Sequence, residues 1–331
     1  MCQRACVRKV PAILLLLLPL LWLSWTGPRP NPNLGTGRVL VEDILAHVPA
    51  TERASLAPFA VEGLWRITGT DRFFGGYSAL VQSRSGGLLA ISDRNRMLSL
   101  ALPVRAGWSH PETQRAISLR LPDGRYFGFD VESAVRDPDG TLWLGLEDNR
   151  SVVRVDTRLG KARLLDVPEI ADWPRNGGTE AMARLPDGRW VMLCESCGTG
   201  RGGLHLGLIF PGHPGETRGQ PFGLIVPPGF DPVDAVTLPD GRLLLLLRRF
   251  AFLPPHFEAR LVLADLRKVY AARPLATQDM AALDGPYLRE NWEGMALAPE
   301  GKRLALWLIT DANASAFQET RLLKLQLPER F

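Results

Sequence analysis

One pattern recurs five times along the chain: a strand rich in small residues, a tight turn, and a second apolar strand. The copies run from Tyr77 to Asp93, Glu132 to Glu147, Glu180 to Glu195, Asp234 to Arg248 and Glu293 to Asp311, and three of them turn on Pro-Asp-Gly. Asp-Gly between two apolar runs specifies a hairpin, because glycine accepts the positive φ that the turn demands. The turn glycines Gly87, Gly140, Gly188, Gly241 and Gly301 are 53, 48, 53 and 60 residues apart. A propeller blade of four strands has a period of roughly 40–50 residues. Helical solenoid repeats would need a 3.6-residue apolar period, which the runs 142–146 and 243–247 lack.

Composition agrees with this reading. Gly 32 and Pro 27 in 331 residues make a chain that turns often, as all-β folds do. The expected fold is therefore an all-β, six-bladed β-propeller over residues 38–331, since ~295 residues accommodate six blades at this spacing. Five blades are the visible repeats. The sixth is expected at ring closure, where the C-terminal strand Arg321 to Leu327 pairs with N-terminal strands around Phe59 to Thr68 and removes the open sheet edges. One stretch, Thr277 to Arg289, reads as a surface helix with Met280, Leu283, Tyr287 and Leu288 on one face.

Residues 1–27 read as an export segment rather than as part of the fold. Arg4, Arg8 and Lys9 precede the apolar run Ala12 to Trp25, which at 14 residues is shorter than the ~20 that span a bilayer as a helix. A cleaved signal peptide is favoured over a signal anchor, with residues 28–37 as a Pro/Gly-rich linker. The expected location is periplasmic or extracytoplasmic, secreted or tethered to the inner membrane by the N-terminal segment alone. The net charge of +4, from 39 basic and 35 acidic residues, excludes a nucleic-acid binder whose affinity rests on phosphate neutralisation. A monomer is expected. Cys194 and Cys197, spaced as Cys-Glu-Ser-Cys, read as a small-loop disulfide or as two buried thiols.

In a propeller the innermost strands surround an axial channel, and their first residues face one mouth of it. Glu132, Glu180 and Glu293 each precede their turn glycine by eight residues, and Asp234 precedes Gly241 by seven. Ser78 holds that place in the first copy, beside Tyr77. A second tier follows each hairpin: Asp93 and Arg94, Glu147 and Asp148, Glu195, Arg248, and Asp311. The candidates for catalysis are Glu132, Glu180, Glu293, Asp93 and Arg94; for metal binding, Glu132, Glu180, Glu293 and Asp234. Oxygen-only ligands suit Ca²⁺ or Mg²⁺. Arg94, Arg150 and Arg248 are placed to hold an anionic group, and Tyr77 and Asn149 complete the substrate-binding set. Each acid reads equally well as an acceptor for backbone amides of a neighbouring blade.

Other chemistry is disfavoured. Gly198 to Gly203 matches G-x-G-x-x-G but is followed by a strand-like run rather than a helix. There is no P-loop, H-E-x-x-H or G-x-S-x-G motif, and His47, His110, His205, His213 and His256 lack ligand spacing.

The strings Gly75-Gly-Tyr-Ser-Ala-Leu with Ile91-Ser-Asp-Arg, Asp130-Val-Glu-Ser-Ala with Leu146-Glu-Asp-Asn, Gly178-Thr-Glu-Ala-Met and Asn291-Trp-Glu-Gly-Met-Ala resemble the phytase-like domain family, the family of esterase-like activity of phytase. The resemblance runs from about Phe59 to the C-terminus. It implies an exported bacterial β-propeller that hydrolyses phosphoester or ester bonds of a small molecule. The Asp-rich calcium clusters of a true β-propeller phytase are not among these strings. Two other expectations stay open: a non-catalytic propeller that binds a ligand or envelope component, and a lactonase-like propeller with one divalent ion.

Overall fold

Each repeat folds as the hairpin its turn specifies, and in the computed structural model these hairpins are the two inner strands of five propeller blades. The structure describes residues 38–328 apart from 72, 94–95, 109–113, 117–129, 148–149, 157–160, 199–202, 270–272, 314 and 316. The export segment, the linker, Arg94, His110, Asp148 and Asn149 lie outside the described residues.

The first blade is Tyr77–Gln82, Leu88–Ser92, Arg96–Leu100 and Gln114–Ala116; the second is Val131–Arg136, Leu142–Leu146, Ser151–Asp156 and Lys161–Asp166. The third is Thr179–Arg184, Trp190–Cys194, Leu204–Phe210 and Gln220–Ile225, with Leu275–Ala276 added in parallel at its edge. The fourth is Asp231–Thr237, Leu243–Phe252, Pro255–Ala264 and Gln278–Leu283. The fifth takes Trp292–Glu300, Arg303–Thr310 and Thr320–Gln326 from the C-terminal end and is completed by Ala60–Gly69 and Val39–Asp43 from the N-terminal end. The inner strands neighbour one another in ring order, the fifth meeting the first.

The described residues therefore form five blades, which corrects the six expected. Ala60–Gly69 pairs antiparallel with Thr320–Gln326 as anticipated, but these strands complete the fifth blade because neither brings an inner hairpin of its own. The stretch Thr277 to Arg289 read as a helix is none: Gln278–Leu283 is a strand that pairs antiparallel with Pro255–Ala264 and buries Leu283, and residues 284–289 form turns. A short isolated segment gains little as a helix, whereas the edge of the fourth blade offers its first half backbone partners.

Turn glycines Gly86, Gly140, Gly188, Gly241 and Gly301 all have φ between +60° and +91°, so Gly86 rather than Gly87 is the left-handed residue of the first hairpin. Large side chains pack between blades. Trp65 stacks on Trp307 at 5.6 Å inside the closing blade, and Trp143 tilts against Trp190 at 5.4 Å between the second and third. Where the fifth inner strand meets the first, a Cβ at Gly294 would lie 2.9 Å from the Leu80 amide nitrogen, so ring closure requires glycine there.

Candidate functional site

Every inner strand carries a bulge near its start. The register steps from Tyr77 to Ala79, Val131 to Ser133, Thr179 to Ala181, Pro232 to Asp234 and Trp292 to Gly294. The residue left out of the ladder in each blade is Ser78, Glu132, Glu180, Val233 or Glu293. A bulge re-aims the extra side chain, and here it turns Glu132, Glu180 and Glu293 toward one mouth of the channel, where Glu132 feels the charge of both other glutamates.

Asp234 does not belong to that set. It sits one place further along, level with Ala79, Ser133, Ala181 and Gly294, and is 3% exposed. Its Oδ1 accepts from the Ala235 amide at 2.7 Å, and its Oδ2 accepts from the Met295 amide of the fifth blade. The carboxylate clamps two blades together, so the metal-ligand expectation at Asp234 is corrected. Ser133 makes a comparable bond, donating from Oγ to the Thr179 carbonyl at 3.0 Å.

The second tier adds to the mouth. Asp130, Glu132 and Glu147 each offer a carboxylate oxygen within 4.8 Å of the others. Hard oxygen donors at this spacing fit a Ca²⁺- or Mg²⁺-like cation. Burial, then the charges of Glu180 and Glu293, push the Glu132 carboxyl well above the usual carboxylate range. Glu180 is raised well above that range too, first by burial and then by Glu195 and Glu147, and its carboxyl hydrogen-bonds Glu147. Glu147 also accepts from the Gly177 amide, and burial raises it. Like charges in one site cannot all ionise, and two hydrogen-bonded carboxyls need a proton between them, so the Glu147–Glu180 pair shares one.

Arg248 closes the opposite side. Its guanidinium donates to Glu195 Oε1 at 2.8 Å, to Asn291 Oδ1 at 2.9 Å and to Glu293. Burial works against its charge, but Glu293, Glu195 and Glu180 hold its pKa above the ordinary value. Asn291, fully buried, also donates to Glu293 at 2.8 Å. Glu293 is pushed up to about 8, by burial against the pull of Arg248. Asp311 is buried and adds its charge beside Glu293. Cys194 and Cys197 form a disulfide with Cα atoms 5.5 Å apart, and Glu195 lies inside its loop. A side cavity of about 210 Å³ opens beside Glu195, lined by His205, Phe230 and Asp231 among others.

The remaining candidates are dispersed. Tyr77 has no exposed surface and packs edge-on to Phe74 at 5.5 Å in the core, out of a substrate's reach. Arg150 donates to the Ala171 carbonyl on the connection to the third blade. Asp93 stays at the first blade, its carboxylate accepting from Ser92 Oγ at 3.1 Å. Asp130, Asn291 and His205 were missed as site residues. The first two lay in the quoted strings, but nothing in their spacing from the turns singled them out. His205 touches Glu195 and Phe230 only through backbone carbonyl oxygens, at 2.8 and 3.1 Å, contacts no motif encodes.

A family model for phytase-like proteins, described as esterase-like activity of phytase, matches residues 72–314. The chain belongs to the phytase-like family. No curated protein matches it. Among solved structures, this phytase-like chain is similar to a catalytically inactive virginiamycin B lyase from Staphylococcus aureus with quinupristin, at 11% identity and TM-score 0.40, covering 80% of this chain and 71% of that one. It is similar to a putative gluconolactonase at 13% identity and TM-score 0.45, covering 91% and 93%. A gluconolactonase from Xanthomonas campestris matches at 11% identity and TM-score 0.39, covering 91% and 98%. The mouth of the phytase-like propeller thus gathers carboxylates from the second, third and fifth blades around one arginine from the fourth.

Proposed function

We propose that this phytase-like propeller is an exported, divalent-cation-dependent hydrolase of small-molecule esters, acting at the acidic mouth of its channel. The observation that carries the reading is the meeting of Asp130, Glu132 and Glu147 within 4.8 Å, beside a Glu180 carboxyl that burial raises well above the usual carboxylate range. Asp130, Glu132 and Glu147 would hold a divalent cation, which would supply counter-charge for an ester oxygen on which negative charge develops.

The chain's own residues do the rest. The proton shared by the hydrogen-bonded Glu147–Glu180 pair is one that Glu180 is positioned to give to a departing alkoxide, or as carboxylate to take from water. Glu195 and Glu293 are fixed by Arg248, which keeps the rim rigid and keeps these two carboxylates from moving into the cation's place. Because Arg248 is already bound to carboxylates, a neutral carboxylic ester or lactone enters this mouth at lower electrostatic cost than a phosphate dianion. Carboxylic esters are therefore favoured over phosphoesters. The Cys194–Cys197 disulfide suits an oxidising, extracytoplasmic compartment, in keeping with export by residues 1–27.

The test is hydrolysis of 4-nitrophenyl acetate, 4-nitrophenyl phosphate and a γ-lactone, each with and without a chelator. The expected result is cation-dependent turnover of the acetate or lactone, falling about 100-fold in Glu180→Gln as loss of a general acid–base group does. Turnover of none of them, or turnover indifferent to both chelation and Glu180→Gln, would leave a ligand-binding propeller without catalysis as the better reading.

A further inference from the structure

The other mouth of the channel has the opposite charge. The inner strands of the first four blades end on Gln82, Arg136, Arg184 and Thr237, the last rungs before their turns. Around them opens a bowl of about 560 Å³, within the range of small-molecule sites. Its floor is apolar, made of buried Met182, Ala235 and Met295 among others.

Two guanidinium groups converge on its rim. Arg84 Nε and Arg136 Nη1 both donate to the Gly140 carbonyl oxygen, at 3.2 and 3.1 Å. Arg136 Nε donates to the Gln82 carbonyl at 2.8 Å, and Arg84 Nη2 to the Asp139 carbonyl at 3.2 Å. All four bonds end on backbone carbonyls, and neither arginine forms an ion pair with a described carboxylate. Arg184, the third arginine of the rim, is paired with Asp137 at 2.7 Å. Burial and then the charge of Arg84 hold Arg136 below its ordinary pKa, as expected of a cation without a counter-ion.

We propose that this second mouth binds a small organic anion, with its carboxylate or phosphate head between Arg84 and Arg136 and its short apolar body against Met182, Ala235 and Met295. Each guanidinium has five N–H donors and uses two on carbonyls, so donors remain for an oxyanion. The site is separate from the acidic mouth and does not depend on the hydrolase reading.

Isothermal titration of the whole protein with acetate, butyrate, hexanoate, hexyl phosphate and inorganic phosphate tests it, with a chelator present throughout. Saturable binding is expected for hexanoate or hexyl phosphate, tightening about three- to fourfold per methylene from acetate to hexanoate. The stronger of the two hexyl ligands identifies the head group. Arg84→Gln, at an exposed side chain, and Arg136→Gln should each weaken it about tenfold, the loss of one charge-assisted bond, while Arg136→Lys should restore part of the loss. Unfolding curves separate a lost site from a lost fold, and Arg84→Gln alone decides if Arg136→Gln does not fold. No saturable binding of any of the five probes, or equal binding by wild type and Arg84→Gln, would overturn the proposal.

Discussion

Arg248 Nη2 lies 2.8 Å from Glu195 Oε1, so the guanidinium of the fourth blade is tied to the residue enclosed by the Cys194–Cys197 loop of the third. The disulfide thereby helps hold one wall of the acidic mouth. Reduction, or the double change Cys194→Ser with Cys197→Ser, should cost about 2 kcal/mol for so short a loop. Thermal unfolding with and without reductant checks this, and the serine double variant should no longer respond to reductant.

Glu132, Glu180 and Glu293 are all raised, mainly by burial. A carboxyl that binds its proton more tightly folded than unfolded contributes stability fully present below the unfolded value and lost as pH rises through the folded one. For Glu293 that window runs from the ordinary 4.5 to about 8. Without divalent cations the protein should lose on the order of a few kcal/mol across it. Asp139 and Asp265 are lowered, by hydrogen bonds from Thr141 and Arg267, so their stabilisation is lost only in stronger acid and does not obscure the trend. Urea unfolding at pH 5 and pH 8 measures it. Added Ca²⁺ should offset the loss at pH 8, and Glu293→Gln should flatten the curve.

The eight-residue offset from each turn glycine deserves a physical account. It marks the bulge residue in every blade: Ser78 before Gly86, Glu132 before Gly140, Glu180 before Gly188 and Val233 before Gly241 are each separated from the turn by four ladder rungs, and Glu293 keeps the same offset from Gly301 through seven rungs and a tighter turn. The three glutamates were legible for that reason. Asp234 falls outside that set because its one-residue difference in offset puts it on the ladder opposite Leu246, just past the bulge residue Val233. The five hairpins were legible from glycine and alternating apolar strands, but the blade count was not. Outer strands carry little pattern, and Ala60–Gly69 completes a sheet whose three C-terminal strands lie more than 220 residues away in sequence. Arg248, Asn291 and Glu293 meet only through ring geometry, which no local pattern contains.

Asp234 should matter for stability and not for cation binding. Asp234→Ala strands the Ala235 and Met295 amides in the core and should cost about 2–4 kcal/mol. Asp234→Asn keeps an acceptor in place and should cost less. Urea unfolding gives both values, and Ca²⁺ titration of the asparagine variant should match wild type.

Ring closure rests on Trp65 against Trp307, 5.6 Å apart. Trp65→Ala should destabilise the protein by about 3–5 kcal/mol, the cost of emptying a large core site. Removal of residues 1–70 takes away the strand that pairs with Thr320–Gln326 and should abolish cooperative unfolding, read by calorimetry.

The central claim is that Asp130, Glu132 and Glu147 hold a divalent cation on which ester hydrolysis depends. Equilibrium dialysis of the purified protein against Ca²⁺ and Mg²⁺, with metal content measured per chain, tests it most directly. About one bound ion per chain is expected, the capacity of a single carboxylate cluster. Glu132→Gln should lose this ion while keeping its fold, and ester turnover should fall in step with occupancy. Absence of bound metal, or the same metal content in wild type and Glu132→Gln, would contradict it.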